Sequence, residues 1–149
     1  MRIAIGSDHG GYHLKEDIKD YLDILKIDYK DFGCINEDAV DYPDIAFKVS
    51  SEVKDGKYER GILICGTGIG MSIAANKIKG IRAALCGDVF SAKKTREHND
   101  SNILTLGGRV IGTELAREIV KAWIFTDFSN VKRHINRIEK LSKIEENNL

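Results

Sequence analysis

The residues most able to do chemistry lie together in Cys65-Gly66-Thr67-Gly68-Ile69-Gly70. The short apolar run Gly61-Ile62-Leu63-Ile64 leads into them, and a helix-forming stretch, Ser72 to Lys77, follows. That order reads as a buried strand, a bare-backbone loop and a helix N-terminus. Alternate glycines let backbone N–H groups turn inward and approach a ligand closely. The start of a helix adds partial positive charge, so the loop favours an anion. The same field favours the thiolate form of Cys65. A base or nucleophile is thereby expected at the mouth of an anion site, with the Thr67 hydroxyl able to donate to or accept from a ligand oxygen.

Three common glycine-loop chemistries do not fit. A Walker A loop carries Lys and then Ser or Thr after its last glycine, whereas Met71 and Ser72 follow Gly70. A dinucleotide fingerprint is G-x-G-x-x-G after a first strand, and this loop is G-x-G-x-G after a later one. A cysteine phosphatase loop would place arginine where Met71 stands. For the cysteine alone, a tight strand–helix turn around a half-buried thiol is the plain alternative.

Other polar groups are weaker signals singly. Asp8-His9 ends the first apolar run, and Asp8 could simply cap the next helix. His98-Asn99-Asp100 reads as a polar loop after a helix. Arg133 and Arg137 are one helical turn apart, with His134 beside them. Two guanidiniums at that spacing can fork onto a phosphate, and they equally describe a solvated basic face. His9 and His13 are four apart, but Gly10-Gly11 between them speaks against a helical metal pair.

The elements that must position these groups alternate between strand and helix. Strands are predicted at Arg2 to Ser7, Ile27 to Phe32, Gly61 to Ile64, Ile81 to Cys86 and Asn102 to Leu106. Helices are predicted at Tyr12 to Leu25, from Pro43 through Val53, at Ser72 to Lys77, at Val89 to Glu97 with Asp88 as cap, and at Thr113 to Phe125. In the last of these, Leu115, Ile119, Ala122 and Trp123 are expected to face inward. A final helix is expected from about Val131 to Glu146. The implied fold is α/β and Rossmann-like: a doubly wound, mostly parallel five-stranded sheet with helices on both faces, plus a C-terminal helix. Such sheets bind ligands beyond the carboxyl ends of their strands. Ser7-Asp8-His9-Gly10, Cys65 to Gly70, and Gly107-Gly108-Arg109 would converge there.

The chain of 149 residues suits one domain, 1–149, with a real core. Lys plus Arg and Asp plus Glu balance at 23 each, which argues against a nucleic-acid partner or an acidic membrane surface. No stretch approaches the roughly 18 apolar residues of a membrane span. The N-terminus passes from a short apolar run directly into Gly6-Ser7-Asp8, so no signal peptide is expected. Cys34, Cys65 and Cys86 are widely spaced and odd in number, which suggests neither a disulfide framework nor a zinc site and points to a reducing cytoplasm.

Taken jointly, these residues resemble a known family. Asp8-His9-Gly10-Gly11, Asp41-Tyr42-Pro43, the Cys65 to Gly70 loop with Ala74-Ala75-Asn76-Lys77, Gly80-Ile81-Arg82-Ala83, His98-Asn99-Asp100, Gly107-Gly108-Arg109, and Arg133-His134 with Arg137 are similar, in order and over almost the full length, to type B ribose-5-phosphate isomerases. One branch of that family lacks the cysteine and uses a glutamate just after the loop. Cys65 and Met71 match the cysteine branch. The resemblance implies reversible conversion of D-ribose 5-phosphate to D-ribulose 5-phosphate, without metal or cofactor, within the pentose phosphate pathway. It makes Cys65 the base, assigns Thr67 and the amides of Gly66, Gly68, Ile69 and Gly70 to the oxyanion, and gives ring opening to His98 with Asp8 in support. Arg133 and Arg137 would hold the phosphate, with His9 and Arg109 nearby, and Tyr42 and Asn99 would meet sugar hydroxyls. It further implies a homodimer with shared sites, alone or as a dimer of dimers. Helix geometry agrees with sharing: the helix opened by Asp88 carries the chain about 15 Å away from the edge that holds Cys65. An isomerase for a six-carbon phosphate such as allose or galactose 6-phosphate, and a non-catalytic phosphate or nucleotide module, are the two alternatives.

Overall fold

A computed structural model describes residues 1–147. Its strands are β1 (Arg2–Ser7), β2 (Asp28–Asp31), β3 (Arg60–Cys65), β4 (Ala83–Leu85) and β5 (Ile103–Gly107). Its helices are α1 (Tyr12–Ile24), α2 (Tyr42–Lys54), α3 (Ile69–Ala75), α4 (Val89–Asn99), α5 (Thr113–Phe125) and α6 (Lys132–Asn147), with a 3-10 turn at His9–Gly11. The strands form one sheet in the order β2-β1-β3-β5-β4. Every pairing is parallel, so the mostly parallel sheet expected is parallel throughout the described strands.

The alternation of side chains along each strand divides the core in two. Ile62 and Ile64 of β3 face α1 and α5, packing with Ile18, Leu22, Ile119 and Trp123. Leu63 and Cys65 face the other way, toward Val49 of α2 and Met71 of α3. After β1 the chain goes to β2 on one side, and it returns to β3 on the other. The loops leaving β1 and β3 therefore part at this switch in strand order, which opens a crevice between them.

Several boundaries differ from the sequence expectation. β2 and β4 have four and three residues, shorter than expected, because each is an edge strand with one neighbour. α3 begins at Ile69, three residues before Ser72, and α4 continues through His98 and Asn99. Leu115 is 41% exposed rather than inward, and Ala122 is half-buried. Ala116 and Val120 take the buried positions beside Ile119 and Trp123.

One buried ion pair fixes the turn beside β1. Lys15, on the inward side of α1, has no exposed side-chain surface and donates to Asp31 at the end of β2 and to Glu16 at 2.9 Å. Asp31 also accepts from Lys19 at 2.9 Å and from the Gly33 N–H at 2.9 Å. Gly33 O in turn accepts from the Ser7 N–H at 2.6 Å, next to Asp8. Burial opposes ionisation of Asp31, but Lys15, the Gly33 N–H and Lys19 outweigh it and hold the carboxyl below its ordinary 3.8.

Lys15→Met should therefore leave Asp31 without its buried partner and lower stability by about 3 kcal/mol in urea unfolding. The contribution of Asp31 is complete above 3.8 and is lost as pH falls through its lower folded value. In Lys15→Met that acid-side loss should flatten.

Candidate active site

Cys65 is the last residue of β3 and is 5% exposed. Its Sγ accepts a hydrogen bond from the Gly68 N–H at 3.1 Å. A backbone donor is thus aimed directly at the sulfur. The contact requires the chain to double back within three residues. Gly68 does so at φ 78°, and a Cβ built on it would lie 2.8 Å from the Leu106 carbonyl carbon. Gly68 is also the N-cap of α3. The first intrahelical bond there runs from the Ser72 N–H to Gly68 O at 3.1 Å. The amides of Gly70 and Met71 precede it and are free to bind a ligand oxygen. The Ile69 N–H donates to Thr67 Oγ1 at 3.3 Å, which holds the exposed hydroxyl over the loop. Ile69 and Gly70, expected as loop, thus form the first turn of α3: once Gly68 turns the chain, the next residues fall into helical geometry.

The neighbouring loops are stitched to this one. The Asp8 N–H donates to Ile64 O at 3.1 Å, the Gly108 N–H to Cys65 O at 2.8 Å, and the Arg109 N–H to Gly66 O at 3.0 Å. Asp8, 8% exposed, caps the 3-10 turn through its Oδ1, which accepts from the Gly11 N–H at 3.1 Å. The Tyr42 ring, at the start of α2, packs on Gly70, where an added Cβ would lie 2.9 Å from it. Arg109 lies against Gly66, its guanidinium 3.5 Å from where a Cβ would be. An open cleft of about 360 Å³ runs past His9, His13, Glu37 and Arg109. His9 Nδ1 there accepts from the Val40 N–H at 3.4 Å, and His13 pairs with Glu37. On the other side of the loop an apolar hollow of about 300 Å³ is lined by Thr67, Ile69, Leu85 and Val110. Asp8, His9, Tyr42, Cys65 to Gly70 and Arg109 are therefore together at the carboxyl edge of the sheet.

His98, Asn99, Arg133 and Arg137 are elsewhere. α4 starts beyond the end of β4 and finishes just ahead of β5. β5 runs beside β3 from the Gly61–Ile103 pair to the Cys65–Gly107 pair. Four strand residues, roughly 13 Å, separate that amino edge from Cys65. His98-Asn99-Asp100, expected as a polar loop after a helix, is instead the end of the helix itself. His98 and Asn99 form the last turn of α4, and Asp100 is its left-handed cap at φ 45°. A clamp that the sequence did not reveal holds this end. Arg82 Nε donates to Asn99 O at 2.9 Å, its Nη2 to Asp100 Oδ2 at 3.1 Å, and Arg96 Nη1 to Asp100 Oδ1 at 2.7 Å. Arg133 and Arg137 are exposed on the first turns of α6. A separate cleft of about 400 Å³ at this edge includes Asn99, Arg82 and Glu145.

The profile of the Ribose/Galactose Isomerase family matches residues 3–141. The chain belongs to that family. It is 44% identical to ribose-5-phosphate isomerase B of Escherichia coli, over 97% of each chain. It is 47% identical over 130 residues to the D-erythrulose-4-phosphate isomerase of Pectobacterium atrosepticum, covering 86% of this chain and 85% of that one. The solved ribose-5-phosphate isomerase B of Clostridium thermocellum superposes with a TM-score of 0.98 at 50% identity, over all of both chains. Among the described residues no helix is long and apolar enough to cross a membrane, and no three His, Cys, Asp or Glu side chains gather to hold a metal ion.

Two glycines allow a controlled test of the loop in this Ribose/Galactose Isomerase chain. Gly68 and Gly80 both have positive φ, at 78° and 83°, but Gly80 faces open space. Gly80→Ala should lose roughly 1–2 kcal/mol from backbone strain, read by thermal unfolding, and Gly68→Ala more, because its Cβ also meets the Leu106 backbone. Gly68→Ala alone should also lose turnover, by about tenfold or more, because its amide no longer reaches the Cys65 sulfur.

Proposed function

We propose that this chain, as one isomerase domain, interconverts D-ribose 5-phosphate and D-ribulose 5-phosphate through an enediolate. The observation that carries the reading is the Cys65 sulfur under the Gly68 amide at 3.1 Å, at the switch in strand order. The thiolate takes the proton from C2 of the open aldose. The C2–H electron pair forms the C1–C2 double bond and the carbonyl electrons move to O1; a proton then passes from the O2 hydroxyl to O1, the O2 electrons form the C2 carbonyl, and the C1–C2 pair takes the proton back at C1. Of the loop donors, Thr67 and the amides of Gly66 and Gly70 hold the developing oxyanion, at a few kcal/mol for each well-aimed donor, while those of Gly68 and Ile69 are turned to the Cys65 sulfur and the Thr67 hydroxyl. Ring opening must come first. His98 moves that proton, taking it from the O1 hydroxyl and delivering one to the ring oxygen, with Asp8 in support. Arg133 and Arg137 hold the 5-phosphate, with His9 and Arg109 nearby, and Tyr42 and Asn99 meet sugar hydroxyls. The scheme uses no metal and no cofactor.

This scheme needs two copies of the chain, because His98 and the arginine pair are at the edge opposite to Cys65. We infer a two-fold homodimer in which the amino-edge cluster of one copy completes the carboxyl-edge pocket of the other. What supports it is the apolar surface around the loop: Ile69 is 52% exposed, Ile73 56%, Leu85 43%, Phe90 71% and Val110 67%. An apolar cluster of this extent is a contact surface in need of a partner. Three free thiols, all buried, fit a reducing cytoplasm.

Substrate length is the property this site could most readily vary, since a longer or shorter sugar keeps the same reacting atoms. With chelator present, turnover of ribose 5-phosphate should persist and exceed that of four-carbon and six-carbon aldose phosphates. Cys65→Ala should abolish it while inorganic phosphate still binds; substantial residual turnover would remove Cys65 as the base. Faster turnover of a six-carbon phosphate would reassign the substrate, and no turnover at all would leave a binding module.

Sharing has its own test. Cys65→Ala and His98→Asn chains are unfolded together, reassembled and assayed. In a mixed dimer one pocket collects both lesions and the other neither, so about a quarter of wild-type activity should return. If mixed dimers form and nothing returns, the two residues do not belong to one shared pocket.

A further inference from the structure

Between α4 and α6 two imidazoles lie in contact. The rings of His98 and His134 have centroids 4.3 Å apart, tilted by 37°. His134 is 3% exposed, while Arg133 and Arg137 on the same helix are exposed. It is the buried residue of α6 among those described. A helix with a single buried position would ordinarily place a leucine there, since a polar ring must be partnered when buried. His134 has a partner. Its Nδ1 is 2.7 Å from Ser129 Oγ. The Ser129 N–H in turn donates to the Glu97 carbonyl at 3.1 Å. Through Ser129 the imidazole is thus tied to the last turn of α4 at the residue preceding His98, and one side of it lies against the His98 ring.

We propose that His134 is a positioning residue for ring opening: a fixed imidazole platform that sets the orientation of the His98 ring presented to the sugar. This rests on the reading that His98 opens the furanose. The groups around His98 are Glu97, with an oxygen 3.9 Å from its Nε2, and His134, with Arg133 and Arg137 flanking it on α6. Burial first, then His98, Arg133 and Arg137, hold His134 below its ordinary 6.5, which favours the neutral ring. A neutral platform does not oppose protonation of His98 during its cycle, whereas a cation there would.

The chemistry of the two sugars separates positioning from general damage. Ribose 5-phosphate is mostly a closed furanose and must be opened. Ribulose 5-phosphate cannot close a five-membered ring, because its C5 oxygen carries the phosphate. Deuterium uptake at C1 of ribulose 5-phosphate in heavy water therefore reports on the Cys65 step without ring opening. In His134→Ala, kcat for ribose 5-phosphate should fall about tenfold to a hundredfold, as expected for a misplaced proton carrier. KM and deuterium uptake should stay within about twofold of wild type. His134→Phe keeps a flat ring against His98 and should restore kcat to within about threefold. Ser129→Ala, which removes the hydroxyl tether but leaves the two rings in contact, should show a milder loss with the same selectivity.

Equal loss of both reactions in His134→Ala would overturn the proposal and make His134 a structural part of the helix. A rise in KM without a fall in kcat would overturn it in favour of a phosphate contact. An unchanged kcat, or no rescue by phenylalanine, would also overturn it. His98→Asn, measured alongside, keeps the two readings apart. If it loses ribose turnover but keeps deuterium uptake, His98 opens the ring and the His134 variants decide the platform. If it leaves ribose turnover intact, the role of His98 itself fails, and the platform with it.

Discussion

β3 is buried over all six of its residues and is hydrogen-bonded on both sides, to β1 and to β5. Its last residue, Cys65, can shift only if two ladders shift with it. This constraint locates the sulfur, and the Gly68 turn then brings an amide to it. The loops after β1 and β5 inherit the same reference, because the Asp8 N–H bonds Ile64 O and the Gly108 N–H bonds Cys65 O. A reactive group on a mobile loop would have to be ordered at each turnover. Here the sheet has already met that entropic cost in folding.

The balanced charge of the chain conceals a sorted one. The carboxyl edge holds few charges near the sulfur, chiefly Asp8 and Arg109, and relies on backbone amides. The amino edge gathers Arg82, Arg96, Arg133 and Arg137 with the two imidazoles. Arg82 and Arg96 are consumed internally by Asp100 and by the carbonyls at the ends of α4 and α5. Arg133 and Arg137 remain exposed, so they are the pair with donors to offer a phosphate.

How much of this was legible in the sequence depends on how local the cause was. β1 and α5 have the bounds that their hydrophobic patterns suggested, because those patterns are long and their ends carry ordinary signals. α3 started earlier than expected because its first residues, Ile69 and Gly70, do not look like a helix start. Only the turn at Gly68 makes them one. α4 ran past its expected end because its stop is Asp100 in a left-handed conformation, not a glycine, and two arginines from elsewhere hold it there. Lys15 was invisible for a similar reason: a lysine on the inward side of a helix makes sense only once Asp31 is seen opposite. In the site, the glycine loop and the distance from Cys65 to His98 could both be read from spacing alone. The Gly68 amide on sulfur and the burial of His134 could not, since each depends on which way a group faces after packing.

α6 shows how a weakly held element can still matter to chemistry. His134 is its buried residue, while Ile135, Leu141 and Ile144 are 37%, 44% and 57% exposed. Apolar burial within one chain therefore contributes little to holding this helix, and the contacts of its first turn with α4 carry much of the load. Under the proposed sharing, a second copy would cover what is left open. The helix that carries Arg133 and Arg137 would then be fixed by assembly, and phosphate bound by those arginines would stabilise the assembled state by the same linkage. Each added copy would complete a pocket and also hold still the groups it lends. An enzyme organised this way needs no moving lid to bring distant groups together, because the association of two rigid sheets does it once.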